Sequence, residues 1–140
     1  MRRPTILLLL TLMLSTGVVA HGPDKEEVVT PVMRESMPAN VGHDVTMATV
    51  HYLPGQASVP HEHAGAIFAY VLDGEVVSQL QGQPSKTYKK GESWYEPPLS
   101  HHIVSKNASA KNPATLLVFA VGDAKQPIKQ PIGTAKGARP

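Results

Sequence analysis

The chain reads as all-β, an antiparallel sandwich or barrel. Three observations predict this class. Short runs rich in Val, Ile, Thr and aromatic residues recur at close intervals. Glycine and proline, 11 and 13 of the 140 residues, fall between those runs and mark turns. Almost no 3.6-residue periodicity is found after the first twenty positions.

Taken in order, the mature chain starts with a polar stretch from His21 to about Asn40, carrying the charged run Asp24-Lys25-Glu26-Glu27. Val28-Val29-Thr30 into Val32-Met33 is a short β-like piece expected at a sheet edge. Asp44 to Tyr52 is a strand rich in Val and Thr, stopped by the turn residues Leu53-Pro54-Gly55. Ile67–Leu72 and Glu75–Leu80 are apolar runs joined by Asp73-Gly74, which predicts a two-residue hairpin because both central positions can take positive φ. Gly82-Gln83-Pro84 is a further turn. Lys86–Lys90, Ser93–Glu96, His102–Val104 and Thr115–Val121 complete the strands. Pro127, Pro131 and Pro140 punctuate the residues after Gly122, where an extended tail is expected.

The first twenty residues predict an export signal. Arg2 and Arg3 form a basic start, Ile6 to Val19 is mostly apolar, and Val18-Val19-Ala20 supplies the small residues of a cleavage site. The apolar run is too short and too diluted by Thr11, Ser15, Thr16 and Gly17 for a spanning helix. The expected layout is a signal peptide at 1–20, an N-terminal extension with an edge strand at 21–44, a barrel at 45–122 and an extended C-terminal tail at 123–140. Periplasmic or secreted localisation without a stable membrane anchor is the corresponding expectation.

Arg2 and Arg3 account for the whole formal charge of +2, so the mature chain is neutral. That excludes a nucleic-acid-binding or anionic-membrane surface from the expectations. There is no cysteine, hence no disulfide, no thiolate chemistry and no lipidated N-terminal cysteine.

The chemistry concentrates in Gly55-Gln-Ala-Ser-Val-Pro-His61-Glu62-His63 and in Gly91 through His102. Histidines two residues apart on an extended segment project from one face. A third brought alongside from another strand makes a three-nitrogen metal site. If the strand stays regular, Ile67, Ala69 and Val71 share that face, although Gly65 can break the register; Phe68, Tyr70 and Leu72 then face the other way.

These two segments resemble the two motifs of the cupin superfamily, in particular its small single-domain members. Gly55, His61, His63 and Gly74 match the first motif, with Ile67 where that motif has Glu. Gly91, Pro97 and His102 match the second, with Leu99 where it has a second Gly and Lys106 where it has Asn; Asn107 lies one step later. The resemblance spans roughly residues 45–121. It implies a six-to-eight-strand jelly-roll β-barrel that holds one divalent transition metal (Fe, Mn, Ni, Cu or Zn) through His61, His63 and His102. It also implies a homodimer joined through barrel edges.

Without the Glu, three neutral imidazoles leave a divalent ion its full charge, so a chelating anion such as an enolate or carboxylate is the expected small-molecule substrate. An O2-dependent oxidation, as in three-histidine dioxygenases of the family, leads the functional expectations. A metal-dependent isomerase or lyase and a non-catalytic ligand- or metal-binding cupin are the alternatives. Tyr95 and Glu96, just before Pro97, are the catalytic candidates for proton transfer. Glu62 is expected to face away from the ligands in a salt bridge. Trp94 is expected in the core or an interface, and His101 at the surface. Gln79 and Gln81 are candidates to reach inward, His43 and His51 are read as structural, and an N-terminal His21 can clasp copper.

Overall fold

The computed structural model describes residues 26–38, 43–123 and 125–133. The export signal and His21 therefore lie outside the described residues, as does the end of the tail. Ten strands and no helix occur among the described residues: β1 (Val28–Ser36), β2 (Asp44–Tyr52), β3 (His61–Glu62), β4 (Ala66–Asp73), β5 (Glu75–Leu80), β6 (Lys86–Lys89), β7 (Ser93–Glu96), β8 (His101–Asn107), β9 (Ala114–Gly122) and β10 (Gln130–Pro131). They form two five-stranded antiparallel sheets, ordered β1-β2-β9-β4-β7 and β10-β3-β8-β5-β6. The all-β jelly roll expected from the sequence is the fold.

Alternation along β4 decides which residues become core. Ile67, Ala69 and Val71 are buried, whereas Phe68, Tyr70 and Leu72 are exposed. The parity of His61 and His63 thus carries through Gly65 into β4. Gly65 itself lies against β9, where a Cβ would come within 2.3 Å of the Val121 carbonyl oxygen. Tyr52, Val76, Ala114, Leu116 and Val118 complete the core with the inward residues of β4.

Asp73-Gly74 corrects one expectation, since β4 and β5 belong to different sheets and do not pair. The dipeptide is a corner that carries the chain from one sheet to the other. Gly74 turns it with φ +74°, packed so closely on Pro113 and Ala114 that a Cβ would meet the Pro113 carbonyl oxygen at 2.6 Å. The preference of Asp-Gly for positive φ holds; the partner strand does not follow from it. The paired hairpin is instead β5–β6, across the Gly82-Gln83-Pro84 turn.

Two departures from the second motif have backbone explanations. Leu99, in place of Gly, takes φ +61°, a left-handed conformation that costs an L-residue about 1–2 kcal/mol. Its N–H donates to the His63 carbonyl at 2.8 Å, tying the loop before β8 to the histidine segment. In β8, His102 pairs with Leu80 and Val104 with Gln79, so Ile103 is an extra, bulged residue. The bulge resets the parity, and His102, Ser105 and Asn107 are all buried. Asn107 then anchors the loops on either side: its Nδ2 donates to the Leu53 and Asn112 carbonyls, and its Oδ1 accepts from Ser109 N–H.

The segment expected as an extended tail returns to the barrel. Gln130 and Pro131 pair with Glu62 and His61 as a short outer strand.

Candidate metal centre

β3 and β8 pair with His61 opposite His102 and Glu62 opposite His101, so one cross-strand pair faces inward and the next outward. His63 follows one residue beyond β3. All three inward histidines are buried, and their candidate ligand nitrogens lie within 4.8 Å of one another. The ring centroid of His61 stands 4.8 Å from that of His63 and 5.0 Å from that of His102.

Backbone carbonyls set two of the rings. His61 Nδ1 donates to Val59 O at 2.8 Å, and His63 Nδ1 donates to Ile128 O. A carbonyl only accepts, so in each neutral ring Nε2 is left with its lone pair, the arrangement by which metal-binding histidines are usually oriented. Burial, only partly opposed by the Val59 carbonyl, pushes the His61 pKa down to about 4. Burial also lowers that of His63, against the opposing pull of Glu96 and the Ile128 carbonyl. At neutral pH both present a lone pair. His102 is held at both ends, with Nε2 2.8 Å from Ser78 Oγ and Nδ1 3.1 Å from Glu96 Oε1.

Glu96 is the group whose position the sequence placed least well. Its carboxylate is 2 % exposed; Oε1 accepts from Trp94 Nε1 at 2.8 Å, while Oε2 is buried without a hydrogen-bond partner, 3.5 Å from His63 Nε2. Burial acts to raise its pKa, but the facing His102, His63 and Trp94 outweigh it and hold the carboxyl below its ordinary value. Tyr95, the other candidate beside it, points the opposite way along β7. It is exposed, with its ring 5.0 Å from that of Phe68, and does not reach the histidines.

The remaining candidates also take definite places. Glu62 faces away from the histidines and lies 3.5 Å from half-exposed His101. Gln79 and Gln81 do not point inward: Gln79 Nε2 donates to Gln83 O and Gln81 Oε1 meets His101 Nδ1. The inward position on β5 belongs to Ser78 because alternation puts Val76, Ser78 and Leu80 on that face. His51 bonds Thr115 across β2 and β9. Trp94 is half-buried and its ring stacks at 4.6 Å on Tyr88.

The three histidines, and Glu96 facing them from β7 in the other sheet, line a cavity of about 230 Å³ between the sheets. Val50, Ile67, Ala69, Leu116 and Val118 line it from strands of the sheet that faces β3 and β8, and Ile128 lines it beside His63. Glu27 and Lys129 also line it, with a 2.7 Å contact between Lys129 Nζ and Glu27 Oε1. Burial is offset there by hydrogen bonds from Lys129 and Ser58, and the Glu27 pKa falls below its ordinary value. Ser78, Ile128, Glu27 and Lys129 carry no signal in the sequence beyond strand parity.

Converging imidazoles and a bare buried carboxylate oxygen fit a divalent transition metal, since imidazole suits Zn, Cu, Fe and Ni and carboxylate suits Mn.

Residues 48–120 match the cupin domain family model, and the chain belongs to that family. Among solved structures, a cupin-like protein from Thermotoga maritima superposes with a TM-score of 0.59 at 20% identity, over 75% of this chain and 74% of that one. The TT1209 protein of Thermus thermophilus gives 0.55 at 29% identity, over 70% and 84%. The DMSP lyase DddQ from Ruegeria pomeroyi gives 0.62 at 17% identity over 80% of this chain, which spans only 54% of that protein. No curated protein matches the chain.

Proposed function

We propose that this protein is an exported, metal-dependent cupin that oxidises a small, largely apolar molecule with O2, the molecule carrying one chelating anionic end. The observation that carries the reading is the make-up of the cavity: three buried histidines converge on it from the β3–β8 side, and aliphatic side chains of β2, β4 and β9 line it from the other sheet. Apolar walls with a few placed polar groups are what small-molecule sites have in common. A bound divalent metal would supply Lewis acidity and open positions for substrate and O2. The chain itself fixes the rings through Val59, Ile128 and Ser78, and its aliphatic wall excludes water from the apolar end of a ligand.

Export rests on the basic, apolar and small-residue pattern of positions 1–20. A homodimer is supported by β1, an edge strand exposed along all nine residues and bearing Val28, Val32 and Met33.

The test is titration of a diketonate into protein loaded in turn with Fe, Mn, Ni, Cu and Zn, followed by oxygen-electrode measurement. A charge-transfer band and O2 uptake with one of the redox-active metals are expected. Turnover without O2 uptake would move the assignment to an isomerase or lyase, and stoichiometric binding without turnover to a binding protein. Absence of any spectral change would remove the open chelating site.

A further inference from the structure

The family's first motif carries a carboxylate four residues after the second histidine, and here that position is Ile67. β4 and β7 are paired so that Ile67 lies directly opposite Glu96. Both are inward and 2 % exposed. We infer that Glu96 is the fourth protein ligand of the metal, the carboxylate having moved from one strand to the facing position on its neighbour.

Three observations carry this. Glu96 reaches the histidine cluster from the opposite sheet, with one oxygen 3.5 Å from His63 Nε2 and the other 3.1 Å from His102 Nδ1. Its Oε1 is held by Trp94 Nε1, as the second oxygen of a ligating carboxylate commonly is. Its Oε2 is buried and lacks a hydrogen-bond partner, facing a His63 nitrogen that already carries the lone pair because Nδ1 donates to Ile128 O. Two acceptors face each other across 3.5 Å, and a cation shared between them satisfies both. Leaving one oxygen of an ionised carboxylate buried without a partner is costly.

A consequence concerns substrate charge. With Glu96 as ligand, a divalent ion keeps one net positive charge rather than two, so the open positions favour monoanions over dianions. This inference rests on the proposed metal-dependent function and sharpens it.

The test is an anomalous-scattering crystal structure of the full chain loaded with Zn²⁺, joined to Co²⁺ affinities measured by chelator competition. In the crystal, a Glu96 oxygen is expected at about 2.0–2.2 Å from the ion. Glu96→Gln and Glu96→Ala should weaken Co²⁺ binding by more than about tenfold. The swap Ile67→Glu/Glu96→Ile should recover most of that loss and restore the visible Co²⁺ spectrum. A zinc ion on the three histidines with Glu96 beyond about 3 Å, outside any Zn–O bond, overturns the inference. So does a Glu96→Gln protein that binds Co²⁺ as tightly as the native one. If Glu96→Ala fails to fold, Glu96→Gln and the crystal structure decide. Native protein that takes up neither ion defeats the metal-dependent function as well as this ligand assignment.

Discussion

Alanine at Gly74 and at Gly82 separates the cost of a backbone conformation from the cost of a backbone contact. Both glycines have positive φ, +74° and +80°. A Cβ at Gly82 meets nothing within 4 Å, whereas one at Gly74 would lie 2.6 Å from Pro113 O and 2.9 Å from Ala114 Cα and Cβ. Gly82→Ala therefore carries the conformational strain alone, about 1 kcal/mol. Gly74→Ala carries the same strain plus a clash with main-chain atoms that cannot swing aside. Overpacking adds about 1–3 kcal/mol, for a total near 3 kcal/mol. At about 4 °C per kcal/mol for a domain of this size, Tm should fall by roughly 4 °C and 12 °C respectively. Urea unfolding followed by the fluorescence of Trp94, the single tryptophan, reads both. Equal losses for the two variants would refute the argument that Gly74 is required by contact with the β9 entry.

Other outcomes are expected from the same structure. Leu99→Gly should raise stability by about 0.5–1 kcal/mol, the relief of left-handed strain exceeding the entropy of a new glycine; a lower urea midpoint would contradict the strain at Leu99. Tyr52→Phe removes a buried hydroxyl shared with Ser58 and Ser105, at 2.7 and 2.8 Å, and should cost about 1–3 kcal/mol, measured by the same titration. Acid should destabilise the metal-free protein. His61 titrates near 4 when folded and near 6.5 when unfolded, so between those values the unfolded chain holds more protons and unfolding free energy falls as pH falls, by up to about 3 kcal/mol from this residue. Stability that stays level across that pH window would rule this out. His61→Ala and His102→Ala should both lose metal by elemental analysis, whereas His101→Ala, whose ring faces outward to Glu62, should retain it.

How much of this was legible in the sequence depended on whether the feature was local. Alternation along β4 placed Ile67, Ala69 and Val71 inward and Phe68, Tyr70 and Leu72 outward, because side-chain parity is a property of one strand. His61 and His63 were placed by the same rule, and His102 by the resemblance to the second motif. What stayed hidden depended on pairing between distant segments. Nothing local says that Ile67 faces Glu96, since that register is set by the barrel as a whole. Asp73-Gly74 announced a turn but not the sheet that the next strand joins. The bulge at Ile103 moved the buried asparagine from position 106 to 107, which a spacing rule reads as a mismatch. Tyr95 and Glu96 were indistinguishable as neighbours, and one step of strand parity separates a carboxylate at the histidines from a phenol in water.

The His63 imidazole takes its bearing from the carbonyl of Ile128, 65 residues downstream. A folding chain that holds every histidine still lacks that anchor until residues 125–133 come in and β10 pairs with β3. A truncation or fusion that disturbs positions 125–133 should therefore loosen the His63 ring while leaving the rest of the barrel in place.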